Sequence, residues 1–282
     1  MQENQTYSNL SLQNYQPNGC DMKELVTYCK TRKSALNLVL EKAPESYTVE
    51  TFHELRVEIK KMKALLQLAA FCNKKFKPRK TFLPFRSIFK QAGKVRELQL
   101  QQTLIEEQPN FTLLKKYPNQ LKKLQSKAIK KFFLLAKIRL IKKLKKKYRI
   151  LIYFLAKTDK TKLNHYRNKT RKQVKKLLGK PAFKKNEMHN FRKQLKVYQY
   201  NEKILPIDQS SKLIATLMAL SDFLGEWHDY EVAILHLKKT IEFYNRNSTE
   251  RKHLKTIKAM VTLKRELLFH KINATLPCKT FL

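Results

Sequence analysis

Glycine is nearly absent from this chain, with 4 in 282 residues, and proline is sparse at 9. So few turn formers argue against a sheet-rich fold, which needs a tight connection every few residues, and favour long helices built from the abundant Leu and Lys. Acidic residues are scarce as well: 22 Asp and Glu stand against 61 Lys and Arg, leaving a formal charge of +39. Such a chain repels itself unless its field is compensated, so an acidic partner is the first expectation. Nucleic acid, anionic lipid and polyphosphate-like chains all qualify.

The four cysteines, Cys20, Cys29, Cys72 and Cys278, form no CxxC pair and have no histidine at zinc-finger spacing. They read as inert thiols of a reducing compartment. The N-terminal stretch has no cationic segment followed by an apolar one, so no secretory signal is expected. The most apolar run, "ILIYFLA" at 150–156, is too short to cross a bilayer. These features together lead to the expectation of a cytoplasmic protein without a transmembrane segment. No glycine-rich phosphate loop, Walker lysine or GxSxG occurs, which leaves nucleotide and acyl-transfer chemistry without support.

Residues 1–21 are rich in Asn, Gln and Ser and read as a flexible polar tail. From there apolar residues recur at three and four, and the pattern predicts an all-α fold. Breaks fall at "KAPES" (42–46), "KKFKPRKT" (74–81), "EEQPN" (106–110), "KYPN" (116–119), "LGKPAF" (178–183), "ILPIDQS" (204–210) and "NRNST" (245–249). Caps are expected at Ser210 or Ser211, and at Ser248 or Thr249. Between Leu121 and Lys180 lie two cationic helical stretches whose only acid is Asp159; more than half the excess charge sits here. "KTDKT" (157–161) reads as the turn of a long basic hairpin, capped by Asp159 or Thr161. Most of its lysines read as a solvated face, with binding to an anionic membrane surface as the alternative.

The stretch "FHELRVEIKKMKALLQLAAF" (52–71) carries a basic stripe beside its core stripe. On a helical wheel Arg56, Lys60 and Lys63 fall within about 80° of His53, while Leu55, Ile59, Met62 and Leu66 gather on another arc. A second copy, "EMHNFRKQLKVYQYNEKIL" (187–205), repeats the spacing with His189, Arg192 and Lys196, offset by 136 residues. Gln199 stands where the first copy has Lys63. Downstream, "QAGKVRELQL" (91–100) and "FLGEWHDYEV" (223–232) pair Gly93 with Gly225, Arg96 with His228 and Glu97 with Asp229, offset by 132 residues. Two motifs recurring in order indicate a duplicated helical unit. Equivalent basic stripes facing one another across a pseudo-two-fold axis would line one channel suited to phosphate oxygens.

On these residues the chain resembles the CHAD family of all-helical, histidine-containing domains, over Met22 to about Lys271. The runs at His53 and at His189 through Tyr200, and the "LG-x-x-[RH]-D/E" turns at Arg96 and His228, carry the resemblance. It implies two pseudo-symmetric helical bundles from an internal duplication, with the basic hairpin in the middle, enclosing a basic channel. The domain spans 22–272, with repeats of about 22–157 and 158–272 and a C-terminal tail at 273–282. It also implies non-catalytic binding of inorganic polyphosphate or another phosphate-rich polyanion, association with polyphosphate granules, and no cofactor or metal. The family's binding positions map onto His53, Arg56, Lys60, Lys63, Arg96, His189, Arg192, Lys193, Lys196, Tyr200 and His228. Gln199 and Glu97 depart from the family pattern.

Two other readings compete. Nucleic acid would be attracted by +39 alone, without specificity. His228-Asp229 also invites an HD-type metal phosphohydrolase, but no aspartate follows Asp229 to complete a metal shell. Asp229 reads instead as a helix cap or as a group orienting His228 or a nearby arginine. Trp227 reads as packing, and His165, His236, His253 and His270 as surface or packing histidines.

Overall fold

In the computed structural model, residues 22–136, 138–202 and 212–276 are described. The expectations for the N-terminal tail, for Cys20 and Cys278, for Ser210 and Ser211, and for most of the C-terminal tail lie outside them. The described residues are all-helical. The order is α1 (Met22–Glu41), α2 (Val49–Cys72), α3 (Pro78–Glu106), α4 (Tyr117–Leu135), α5 (Ile138–Ala156), α6 (Lys160–Leu178), α7 (Lys185–Glu202), α8 (Lys212–Glu242) and α9 (Thr249–Thr275). Short 3-10 turns at Pro44–Ser46 and Pro109–Leu113 fill two of the breaks.

Local chemistry sets the ends. Thr48 and Thr51 form a reciprocal box at the start of α2: the Thr48 hydroxyl accepts from the Thr51 N–H at 3.2 Å, and Thr51 returns the bond at 3.3 Å. Asp159 caps α6 by accepting from the Lys162 N–H, and Ser248 caps α9 by accepting from the Arg251 N–H. The stretch read as one helix from Leu121 to Lys157 breaks near Ala136, after the Ala136 N–H has bonded the Phe132 carbonyl. No glycine or proline marks this bend. It lets α4 pack on α3 while α5 packs on α1 and α3.

Two hydrophobic clusters result. The first joins α1, α2, most of α3, the end of α4, α5 and the start of α6 around Phe52, Leu55, Ile59, Met62, Phe85 and Tyr148. The second joins the end of α3, the start of α4, the end of α6, α7, α8 and α9 around Phe191, Leu195, Leu224, Trp227, Leu254 and Ile257. Each of these twelve side chains is at most 1% exposed. Between the clusters, α2 packs on α7 and α3 packs on α8, so the helices bearing matched motifs are neighbours. Burial pushes the thiols of Cys29 and Cys72 up to about 12 and 11, which makes them poor nucleophiles.

Glu250 anchors the start of α4 to the second cluster. From the first turn of α9 its carboxylate accepts the backbone N–H groups of Lys115, Lys116 and Tyr117 at 3.0, 3.0 and 2.7 Å. These donors lie at the start of α4, where no carbonyl of the helix itself can reach them. Glu250→Ala leaves the buried Tyr117 N–H without its acceptor and the two lysine N–H groups to water, and is expected to cost about 2 kcal/mol in urea unfolding. A loss below about 0.5 kcal/mol would show that water replaces the carboxylate without penalty.

Candidate functional site

The basic stripe of α2 meets α3 first. Arg56 is half-buried; its Nη1 donates to the Phe89 carbonyl at 3.2 Å, and its Cζ lies 4.6 Å from the centroid of the Phe89 ring. This approach requires Gly93. A Cβ built there would run into Arg56 Nη1 and lie 3.4 Å from Cζ, whereas a Cβ at Gly225 would meet nothing within 4 Å. The "LG" motifs therefore lie inside the continuous helices α3 and α8 and are not turns. Good helix formers flank both glycines and carry the helix through them. Gly93→Ala favours the helix by up to ~1 kcal/mol yet displaces the flexible end of Arg56. Its expected signature is an unchanged or higher melting temperature together with weaker polyanion binding. Unaltered binding would show that the guanidinium position is irrelevant.

The second stripe, on α7, closes the site. The His189 ring lies 5.0 Å from the His228 ring, edge-on, and 5.1 Å from the Trp227 ring. Arg192 acts electrostatically on Arg56, Lys60, His228 and Asp229, and Arg96 acts on His53, Arg56 and Asp229. Lys196 adds to the repulsion at Lys60 and reaches Asp222 Oδ1 at 3.9 Å. The four helices thus bring together His53, Arg56, Lys60, Arg96, His189, Arg192, Lys196 and His228. Tyr200 is electrostatically coupled to Arg192, and also to Tyr28 and Glu58 on the α1 side.

Crowding shows in the protonation of these groups. Burial, reinforced by Arg192, Arg56 and Lys196, pushes the Lys60 ammonium down to about 7. Burial also drives His228 down to about 3, with Arg192 and His189 adding repulsion, so its imidazole is neutral at physiological pH. Arg56 and Arg192 are both lowered by burial, but a guanidinium stays charged. Asp229 is a half-buried counter-charge: burial raises its carboxyl, while Arg192, Arg96, Lys60 and Arg56 hold it down. It lies well inside α8 and caps nothing.

Three nitrogens on these residues are buried without a hydrogen-bond partner among the described residues: Arg192 Nε, Trp227 Nε1 and His228 Nδ1. Arg192 Nε and the indole N–H can only donate, and a neutral imidazole can present one N–H. Buried donors left unmatched are costly, and an anionic oxygen satisfies them. Trp227 and Phe89 were not marked as site residues by the sequence. Trp227 follows the motif glycine as a buried aromatic, and nothing in its neighbours announces an orphaned N–H.

Two residues of the stripe stand apart. Lys63 is exposed, with its Nζ 5.8 Å from the Phe82 ring. Lys193 is on another side of α7, lining a cavity of about 410 Å³ with Phe71, Tyr166 and Lys169. Gln199, in the slot matching Lys63, is structural: it donates to the Leu217 carbonyl at 3.1 Å and accepts from the Ser221 hydroxyl at 3.0 Å, joining α7 to α8. Glu97 lies 4.0 Å from His236 Nε2 and offsets part of the repulsion on Arg56. Among the described residues no three His, Cys, Asp or Glu side chains are grouped to hold a metal ion, and no helix is long and apolar enough to cross a membrane.

Comparison with known proteins bears on this arrangement. The CHAD domain family matches the sequence over residues 35–238. The CHAD domain from the plant Ricinus communis superposes with a TM-score of 0.69 at 13% identity, covering 90% of this chain and 91% of that one. PptA from Streptomyces chartreusis superposes with a TM-score of 0.66 at 11% identity, covering 89% and 98%. At such identities the likeness shows a shared fold. No curated protein matches the sequence. The family match spans most of the folded chain, and the chain belongs to the CHAD domain family.

Proposed function

We propose that the cluster between α2, α3, α7 and α8 is a channel that binds inorganic polyphosphate without turning it over. The observation that supports this most is the clustering of half-buried cations from both motif copies, with Arg192 raising the energy of Arg56 and Lys60, and Lys196 that of Lys60, across the site. Cations packed this closely raise one another's energy, and a chain of phosphates neutralises several at once. Arg56 and Arg192 would grip phosphate oxygens with planar donor pairs, Lys60 and Lys196 would follow as mobile charges, and the half-buried His228 would donate from the wall.

A bare phosphate chain has no bases to accommodate, which suits cations half-covered by protein better than a nucleic-acid duplex does. The carboxylates at the site, Asp229 and Glu97, are engaged with cations, which fits holding a polymer better than activating water for attack on it. A cytoplasmic location with polyphosphate granules follows as part of the same reading.

Long-chain polyphosphate is expected to bind more tightly than single-stranded DNA at moderate salt, phosphate for phosphate, in separate direct titrations. Equal affinities for the two polymers would contradict a built site. Phosphate release from polyphosphate with added Mg²⁺ or Mn²⁺ is expected to stay at background; sustained turnover abolished by His228→Ala would contradict the non-catalytic reading.

A further inference from the structure

The outer surface of α5 carries chemistry that the polyphosphate channel does not use. Lys142, Lys146, Arg149 and Tyr153 follow one another at four, three and four residues, with Lys157 four further on, and all five are exposed. At 1.5 Å per residue the row is about 22 Å long. The core residues of α5, Leu144, Tyr148, Leu151 and Leu155, are at most 1% exposed. On a helical wheel the row is centred about 180° from them.

Neither α5 nor α6 contains an acidic residue, so the row lacks the Glu neighbours that usually balance lysines on a solvated helix. Tyr153 is 54% exposed amid these cations. The Lys157 ammonium lies 4.4 Å from its ring centroid and donates to its hydroxyl at 2.6 Å.

We infer that this row is a second binding surface, for the backbone and bases of single-stranded nucleic acid. A line of cations interrupted by an exposed aromatic ring is what a flexible strand requires: phosphates track the charges and a base stacks on the ring. A duplex keeps its base faces stacked internally and would leave Tyr153 unused. Membrane insertion needs an apolar face, and that of α5 is spent in the core.

The test is fluorescence anisotropy of a labelled single-stranded RNA 20-mer with the full chain, across a salt series. With four cations engaged, log affinity should fall against log salt with a slope of about −3. Lys142→Gln/Lys146→Gln/Arg149→Gln is expected to lower RNA affinity at least tenfold and to reduce the slope by about 2. Tyr153→Ala should lower affinity about 5- to 100-fold with the slope unchanged. Polyphosphate affinity should stay within about threefold of wild type in both variants, because neither touches the channel.

RNA binding unaltered in both variants would overturn the inference. So would a parallel loss of polyphosphate binding, which would make the row part of the channel's field. Loss of sedimentation with phosphatidylserine vesicles in the triple variant, with RNA binding intact, would assign the row to a membrane instead.

Discussion

Arg56→Ala combined with Arg192→Ala is expected to lower polyphosphate affinity by about two to four orders of magnitude. Each guanidinium replaces water around a phosphate oxygen with charge-assisted hydrogen bonds, worth roughly 1.5–3 kcal/mol apiece. The two arginines come from opposite copies of the motif, on α2 and α7, and Arg192 acts on both Arg56 and Lys60 across the site. Removing both leaves Lys60 and Lys196 without the planar donors that fix a phosphate's orientation. Non-specific attraction of DNA depends on the whole surface and should fall far less, so the preference for polyphosphate should nearly vanish. Isothermal titration of wild type and double variant measures this directly. A change of less than threefold would mean that polyphosphate binds elsewhere.

Lys60 supplies the second large effect, because its charge is held in an unfavourable place. In the folded, unliganded protein it titrates near 7, against about 10.5 for a free lysine. Between those values the unfolded chain holds the proton and the folded chain does not. Stability therefore rises as pH increases from 7 toward 10.5, by up to ~1.4 kcal/mol per pH unit, and below pH 7 the protonated amine disfavours the fold by its full amount. Lys60→Met should stabilise the unliganded protein by about 1–3 kcal/mol at neutral pH, after allowance for solvent screening, and should flatten this pH dependence.

In the proposed channel, bound polyphosphate would reverse the sign of the local field and restore the proton. Binding at pH 8 should take up close to one proton through Lys60, and affinity should weaken as pH rises above 7. Titration in two buffers of different ionisation enthalpy reads the uptake, which Lys60→Met should abolish. Uptake unchanged in that variant would place the titrating group elsewhere.

The elements that could be read from the sequence are those set by local chemistry. Asp159 and Ser248 precede their helices with side chains that reach back to an N–H. The stripe of His53, Arg56 and Lys60 needs only the helical period. Tertiary packing decided what remained hidden. The bend at Ala136 has no marker residue, since it follows from packing: α4 lies on α3, and α5 lies on α1 as well as α3. Gly93 is an interior helix position because Arg56 must pass it, a fact that concerns α2 and not α3's own sequence. Lys193 follows Arg192 by one residue, yet a rotation of 100° along α7 sends it to another cavity. Gln199 departs from the basic pattern because it is occupied in joining α7 to α8.

The most direct test of a polyphosphate channel built from both motif copies is thermal unfolding with and without long-chain polyphosphate. Orthophosphate at equal phosphate concentration controls for ionic strength. Saturation at about 100 times Kd should stabilise the wild type by about 2.7 kcal/mol, a rise of several degrees, while orthophosphate gives little. The Arg56→Ala/Arg192→Ala protein should show almost none of this rise. An equal rise in both proteins would contradict the account.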